Sequence, residues 1–290
     1  MALLVLGGPT AAGKTAAACA VHDRTGARLV SADAMQVYRG LDIGTGKPTP
    51  DELTSYPHAC LDVRDPHQDY NAADFARDAD AVIAQGGPVV VVGGTGLYLR
   101  ALLQGLVVTP PADPALRAEL ETLPDLFAAL QAVDPVLAAR LHPNDRVRIL
   151  RGLEVHRMTG QRLSELHDAH LGQVRHQAVR LWLDRDDLHA RIDARVLQMV
   201  EQGLVQELRD ALDAGVPPDC KPLKSLGYKH FLFHVRGTMS LDEAIRCTQR
   251  DTRRFARKQR AMLRKLGGFT QVDARDTAAV LAEAARAFGA

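Results

Sequence analysis

No two of the four cysteines stand in a C-x-x-C pair. Cys19, Cys60, Cys220 and Cys247 are scattered, which argues against a zinc site or a disulfide framework and for reduced, structural thiols. Long apolar runs are missing too. The N-terminal one is too short to span a bilayer and lacks a secretory pattern, so a cytoplasmic protein without membrane association is expected. There is no internal repeat and no low-complexity linker. Charge of one sign is equally scarce: the formal net charge is +1, which by itself gives no sign of a polyanionic partner. What remains is ordinary for a globular protein. With 290 residues, 46% hydrophobic and 24% charged, the chain can bury a sizeable core and form one or two domains.

Against this plain background one stretch stands out. Gly8-Pro9-Thr10-Ala11-Ala12-Gly13-Lys14-Thr15 spells G-x-x-x-x-G-K-[ST]. The apolar run Leu3–Leu6 before it reads as a buried strand and the run from Ala16 to Ala20 after it as a helix. That is the strand–loop–helix context of a phosphate-binding loop. Its glycines let backbone N–H groups converge on a phosphate, the helix N-terminus adds partial positive charge, Lys14 adds a full one, and Thr15 can hold a magnesium ion. The alternative is a glycine-rich turn with no ligand. The loop does not say whose phosphate it holds.

Leu3–Leu6, Arg28–Ser31 and Pro88–Val92 read as parallel strands buried on both faces. Helical segments separate them, among them 72–85 with Asn71 as its cap. Alternating strands and helices predict an α/β fold, a P-loop NTPase-like parallel sheet flanked by helices. The segments after these strands, namely the phosphate loop, Ala32–Gln36 and Gly93–Gly96, should face one crevice. The texture changes after Thr109-Pro110-Pro111. Residues 112–172 are helical and strand-poor, which predicts an inserted all-helical domain within a discontinuous core of residues 1–111 and 173–290. A strand returns at Ala178–Asp184, and 187–214 reads as helix interrupted near Gly203. Leu241–Leu266 reads as one long helix, with Ile245, Thr252, Phe255, Gln259, Met262 and Leu266 at helical spacing. Between Ile245 and Leu266 it carries Arg246, Arg250, Arg253, Arg254, Arg257, Lys258, Arg260, Arg264 and Lys265 against only Asp251, a local net of +8. A basic stripe without acidic partners on its own helix favours a polyanion over a merely solvated face.

Several residues could carry chemistry. Asp33, at the C-terminal end of its strand, is a general base, a magnesium ligand or a turn cap. Thr95 caps a helix or faces the crevice, and position alone favours the cap. Arg191 and Arg195 lie four apart on one helix face, where an anion or Asp187 would relieve their repulsion. Arg148 and Arg151 lie on a helix that Asn144 would cap, and Arg117 on another; surface arginines are the usual case. The strand Val89–Val92 ends in Gly-Gly-Thr rather than the acidic residue of many nucleotide hydrolases, which weakens that reading.

Taken in order, GPTAAGKT (8–15), SADAMQVYRGLDIGTGKP (31–48), HACLDVRDP (58–66), VVGGTGLY (91–98), HPNDRVRILRGLEV (142–155), KSLGYKH (224–230) and TRRFARKQ (252–259) resemble the tRNA dimethylallyltransferases of the bacterial type, also called tRNA isopentenyltransferases. The resemblance covers nearly the whole chain. It implies transfer of a dimethylallyl group from its diphosphate to the exocyclic amine of an adenosine next to the anticodon. It places the diphosphate on Gly8, Pro9, Thr10, Ala11, Ala12, Gly13, Lys14 and Thr15, with Arg191 and Arg195 beside it and Mg2+ on Thr15. Lys14, Arg195, Thr95 and Asp33 become catalytic: the first two neutralise the departing pyrophosphate, Thr95 meets the bridging oxygen and Asp33 takes the amine proton. Asp33, Ala34, Met35, Gln36 and Thr95 would meet the target base and its neighbour. Arg117, the segment Val147, Arg148, Ile149, Leu150 and Arg151, and the helix residues Arg253, Arg254 and Arg257 would meet the rest of the anticodon stem-loop. Ala34 stands where the family usually has Ser, and Met262 where it often has Trp. A monomer is the default. The competing readings are a transferase acting on free adenine nucleotides, a P-loop kinase or ATPase, and a non-catalytic RNA-binding module.

Overall fold

The computed structural model describes residues 2–289. Among them the chain forms β1 (Leu3–Gly7), α1 (Lys14–Thr25), β2 (Arg28–Ser31), α2 (Pro50–Ser55), β3 (His58–Ala59), α3 (Ala72–Ile83), β4 (Val89–Gly93) and α4 (Gly96–Gln104). Five helices follow: α5 (Pro114–Glu121), α6 (Leu126–Val133), α7 (Pro135–Arg140), α8 (Arg146–Thr159) and α9 (Leu163–Ala169). The chain ends with β5 (Val179–Asp184), α10 (Leu188–Glu201), α11 (Leu204–Asp213), α12 (Lys229–Val235), α13 (Leu241–Leu266), β6 (Thr270–Asp273) and α14 (Thr277–Phe288). Two compact units result, residues 1–103 with 175–290, and residues 104–174.

The first unit is built on one parallel sheet of order β3-β2-β4-β1-β5-β6. Side chains alternate across it with period 2. Leu4, Leu6, Leu29, Val90, Val92, Leu181 and Leu183 point to one face and pack against Ala17, Ala18 and Val21 of α1 and Val280 and Ala284 of α14. The alanines of α1 let that helix lie close on the strands. The central strands β1 and β4 are buried along their whole length, which is why they read as unbroken apolar runs. α3 begins at Asn71, whose side chain accepts from the amides of Ala73 and Asp74 while Asp74 returns a bond to the Asn71 amide. Gly203, in the left-handed region, separates α10 from α11 where the sequence predicts the break.

The second unit is all helical around Leu120, Leu126, Leu130, Leu137, Leu153 and Leu163. Asp145, not Asn144, caps α8, accepting the Arg148 amide. Val147 and Arg148 are exposed, but Ile149 and Leu150 are core residues, so their side chains pack this unit rather than present a surface. Arg117 and Arg151 are not bland surface arginines either. Both pair with Glu154, whose side chain is fully buried, at 3.2 and 2.7 Å, and Arg151 also reaches Thr109 and the Pro110 carbonyl. Burial alone would raise the Glu154 carboxyl. Arg151, the Asp113 amide and Arg117 outweigh it and hold the carboxyl below its usual range. Arg151→Met therefore acts on stability: it removes charge-assisted bonds to a buried carboxylate and costs about 1.5–3 kcal/mol in urea unfolding. A loss below about 0.5 kcal/mol would be that of an ordinary surface residue and would contradict this pairing.

Candidate active site

The loop from Gly8 to Thr15 leaves the C-terminal end of β1 and turns into α1. A Cβ at Gly8 would fall on the Leu183 carbonyl of β5, so only glycine lets the loop start this close to the neighbouring strand. Ala11 sits in the left-handed region at φ 64, and its carbonyl accepts Arg191 Nε at 2.9 Å. The Thr10 amide is already spent on Gln259 Oε1 at 2.9 Å. The amides of Lys14 and Thr15, in the first turn of α1, have no acceptor within the helix and are free to meet an anion.

Lys14 Nζ donates to the Pro9 carbonyl at 2.8 Å. Burial pushes its ammonium down to about 8; the charge of Asp33 opposes the shift and that of Arg195 adds to it. Burial likewise lowers Arg195, again with Asp33 opposing and Arg191 adding. Asp33 thus acts electrically on both cations, although it is 19 residues from one and 162 from the other. Neither Arg191 nor Arg195 forms an ion pair with Asp187, which pairs with Arg185 at 2.8 Å and meets Arg191 only through its charge. Arg195 Nη2 instead donates to the Gly46 carbonyl at 3.1 Å.

Asp33 lies just past β2. Its Oδ1 accepts the Met35 amide at 2.9 Å, closing a turn that leaves Oδ2 without a donor among the described residues. Thr95 does not cap α4 with its side chain. Its Oγ1 accepts the Ala34 amide at 3.0 Å, and its own amide donates to Ala32 at 3.2 Å. The hydroxyl proton is left over, since a hydroxyl carries one donor beside its acceptors. Ala34 meets Thr95 through its backbone, so the missing Ser hydroxyl takes nothing from this contact. Gln36 accepts from Ser31 Oγ at 2.9 Å and donates to the Gly46 carbonyl at 3.0 Å.

All three strand-end segments open into one cavity of about 780 Å³, as their topology predicts. Lys14, Thr15, Asp33, Thr95, Arg191 and Arg195 line it together with Met35, Val92, Ile192, Val196, Met199, Leu226, Phe255 and Met262. One chamber therefore offers a charged cradle and an apolar wall. The long helix α13 closes one side. Its buried residues are Ala244, Thr248, Ala256, Gln259, Leu263 and Leu266, and of these Thr248 and Gln259 line the cavity together with Thr252, Phe255 and Met262. Gln259 bridges the Thr10 amide and the Gly94 carbonyl, tying α13 to both the phosphate loop and the Thr95 turn.

The basic stripe on α13 is partly neutralised. Arg253 pairs with Asp193 of α10, Arg260 with Asp184 of β5 at 2.6 Å, and Asp251 serves Arg250 and Arg254 at 2.8 and 3.4 Å. Arg257 and Lys258 are exposed without an acidic partner among the described residues. Of the three arginines of this helix assigned to the stem-loop, Arg257 alone has no acidic partner among the described residues. Gly46, Glu207 and Gln259 escape a motif reading as site residues, because each acts through a contact more than 140 residues away in sequence. Glu154 was legible: it stands three residues after Arg151, on the same helix face.

The model of the IPP transferase family matches residues 36–266. A tRNA dimethylallyltransferase 1 of Citrifermentans bemidjiense is 47% identical over 266 residues, spanning 89% of this chain and 87% of that protein. The crystal structure of a full-length tRNA isopentenylpyrophosphate transferase from Bacillus halodurans superposes with a TM-score of 0.73 at 33% identity, covering 99% of this chain and 96% of that one. A eukaryotic dimethylallyltransferase acting on tRNA superposes with a TM-score of 0.82 at 26% identity, over 96% of this chain and 75% of that one.

Proposed function

The chain belongs to the IPP transferase family, and we propose on that premise that it is a tRNA dimethylallyltransferase. It transfers the dimethylallyl group of dimethylallyl diphosphate to the exocyclic N6 of the adenosine next to the anticodon and releases diphosphate. The observation that carries this reading is the shared chamber. A phosphate loop alone would suit a nucleotide, but here its lysine faces Asp33, Thr95 and Arg195 across a cavity with an apolar wall of methionine, valine and leucine.

In this reading the loop from Gly8 to Thr15 holds the diphosphate, with Lys14, Arg191 and Arg195 balancing its charge. As the C–O bond to the prenyl carbon breaks, negative charge grows on the bridging oxygen. Thr95 donates its unspent proton there, and Lys14 and Arg195 stabilise the leaving group; fixed charge where charge develops is the main expected source of rate. The adenosine nitrogen forms the new C–N bond and passes its proton to Asp33 Oδ2. Met35 and Gln36 border the entering base, which must leave its stack to reach the chamber. Val147, Arg148 and Arg257, exposed and basic or flanking basic residues, approach the stem-loop phosphates. The protein works as a cytoplasmic monomer.

A magnesium ion fits this donor set. Among the described residues no group of three or more His, Cys, Asp or Glu is assembled to cage a metal. Magnesium, however, is commonly held by one or two protein oxygens plus substrate phosphates and water, and Thr15 lines the cavity next to Lys14. Bound there through Thr15 and the diphosphate, it would add positive charge to the leaving group.

Incubating the protein with tRNA and dimethylallyl diphosphate and analysing digested nucleosides by mass spectrometry should show a dimethylallyl adduct on adenosine. Modification of free AMP alone, or turnover of ATP without any prenylated product, would sink the reading. Gly46 supplies a second test. A Cβ there would fall on Arg195 Nη2, and its φ of 64 disfavours any side chain. Gly46→Ala should weaken pyrophosphate binding about tenfold or more in calorimetry by displacing Arg195; unchanged affinity would remove Arg195 from the cradle.

A further inference from the structure

Glu207 lies on α11 and does not line the chamber, yet its carboxylate is fully engaged. Oε2 accepts the amides of Asp42 and Ile43, each at 2.7 Å, and Oε1 accepts the Gly44 amide at 3.0 Å and the Tyr228 hydroxyl at 2.6 Å. A carboxylate offers about four lone-pair sites, so all are filled. Three successive backbone amides converging on one anion define the path of a loop as firmly as a bound ion would. That loop continues through Gly46, whose amide donates to Ile43 at 2.9 Å, and ends where the Lys47 amide donates to Asp42 at 3.0 Å. The product of this path is a single carbonyl. Gly46 presents it to Arg195 Nη2 at 3.1 Å and to Gln36 Nε2 at 3.0 Å.

We propose that Glu207 is a positioning residue for Arg195: it sets the loop whose Gly46 carbonyl seats the guanidinium at the diphosphate cradle. The proposal rests on the reading that Arg195 clamps the donor diphosphate. A purely structural role would be redundant, because the loop has a second brace. Lys47, its side chain almost fully buried, donates to Asp42 at 2.6 Å, to Asp62 at 2.5 Å and to the Tyr38 carbonyl at 2.6 Å. Lys47 anchors the end of the loop, whereas Glu207 orients the stretch that leads to the carbonyl.

The test uses the full chain carrying Glu207→Ala, Glu207→Gln, Arg195→Met and the pair E207A/R195M. Inorganic pyrophosphate affinity is measured by calorimetry, the Michaelis constants for dimethylallyl diphosphate and for tRNA by steady-state transfer, and folding by thermal melting. E207A should raise the pyrophosphate Kd and the donor KM about 10- to 100-fold and raise the tRNA KM far less, by what Gln36 loses at the same carbonyl. E207Q, which keeps one acceptor oxygen but turns an NH2 toward amide donors, should fall between it and the parent, and it keeps the comparison open if E207A folds poorly. In the R195M background the substitution should add nothing further, because the two residues act on one contact. Additive losses in pyrophosphate affinity, a tRNA KM that rises as much as the donor KM, or unchanged pyrophosphate affinity in both Glu207 variants would overturn the proposal while leaving the transferase reading intact. Failure of the unsubstituted protein to bind pyrophosphate would instead overturn the reading on which the proposal stands.

Discussion

Asp33→Asn should lower kcat for prenyl transfer about 10²- to 10⁴-fold, the usual contribution of a positioned general base, while tRNA affinity stays within about twofold, as expected when an interaction made only in the transition state is lost. Asparagine is the informative replacement. Its carbonyl oxygen can still accept the Met35 amide that Oδ1 accepts at 2.9 Å, so the turn carrying Ala34 and Met35 keeps its shape. Thr95 still holds the Ala34 amide, because that contact does not involve Asp33. What disappears is the second oxygen as a proton acceptor, together with the negative charge. Losing that charge also lowers Lys14 further, since Asp33 is the group that opposes its desolvation. The measurement should therefore be made by single turnover with tRNA and donor both saturating, over a pH series, so that loss of the Lys14 proton is separated from loss of the base. Filter binding or anisotropy with an anticodon stem-loop supplies the affinity. A kcat within about threefold of the parent would remove Asp33 from proton transfer. A large loss of stem-loop affinity would make it a binding residue instead.

The same residue shows which parts of this molecule its sequence displays. β1, β2 and β4 were legible because a strand buried on both faces has no alternative to an apolar run, and the phosphate loop because its glycines, lysine and threonine act on one ligand from adjacent positions. Parallel topology then brings strand ends together, so the crevice shared by Asp33 and Thr95 followed from the position of their strands, although position alone favoured a cap for Thr95. The α10 arginines were visible as an unrelieved pair, but their partners were not. Arg191 meets Ala11 and Arg195 meets Gly46 through backbone carbonyls, which any residue type supplies. The basic helix misled in part for the same reason: its acids, Asp184 and Asp193, come from other elements of the fold and cannot be counted along one helix. In the helical unit, charge read as RNA contact at Arg117 and Arg151 is spent on Glu154.

Lys14 yields the second large effect. Its ammonium, pushed to about 8 by burial, is the form that attracts a diphosphate. Below pH 8 the lysine is charged and binding is at its plateau. As pH rises through 8 the charged fraction falls, so the pyrophosphate Kd and the reciprocal of kcat/KM for the donor should both rise about tenfold per unit, the slope of a single required proton. The sign is the opposite of an enzyme limited by deprotonating its base, whose rate would climb with pH. Other buried groups of this unit do not imitate the break: Cys60 is pushed up to about 11 and Tyr38 to about 12, both mainly by burial. Bound diphosphate should move the break upward, because an opposite charge favours the protonated amine, so kcat should hold to higher pH than kcat/KM. Lys14→Met removes the charge at every pH. It should cost about 10²- to 10³-fold in transfer, the range for one lost electrostatic stabiliser, and erase the alkaline limb. A break that stays near 10.5, the ordinary value for lysine, would mean that the empty cradle does not desolvate Lys14. A break at 8 that survives in the Met variant would place the titrating proton on another group and leave the diphosphate charge to be met by Arg195 and Arg191.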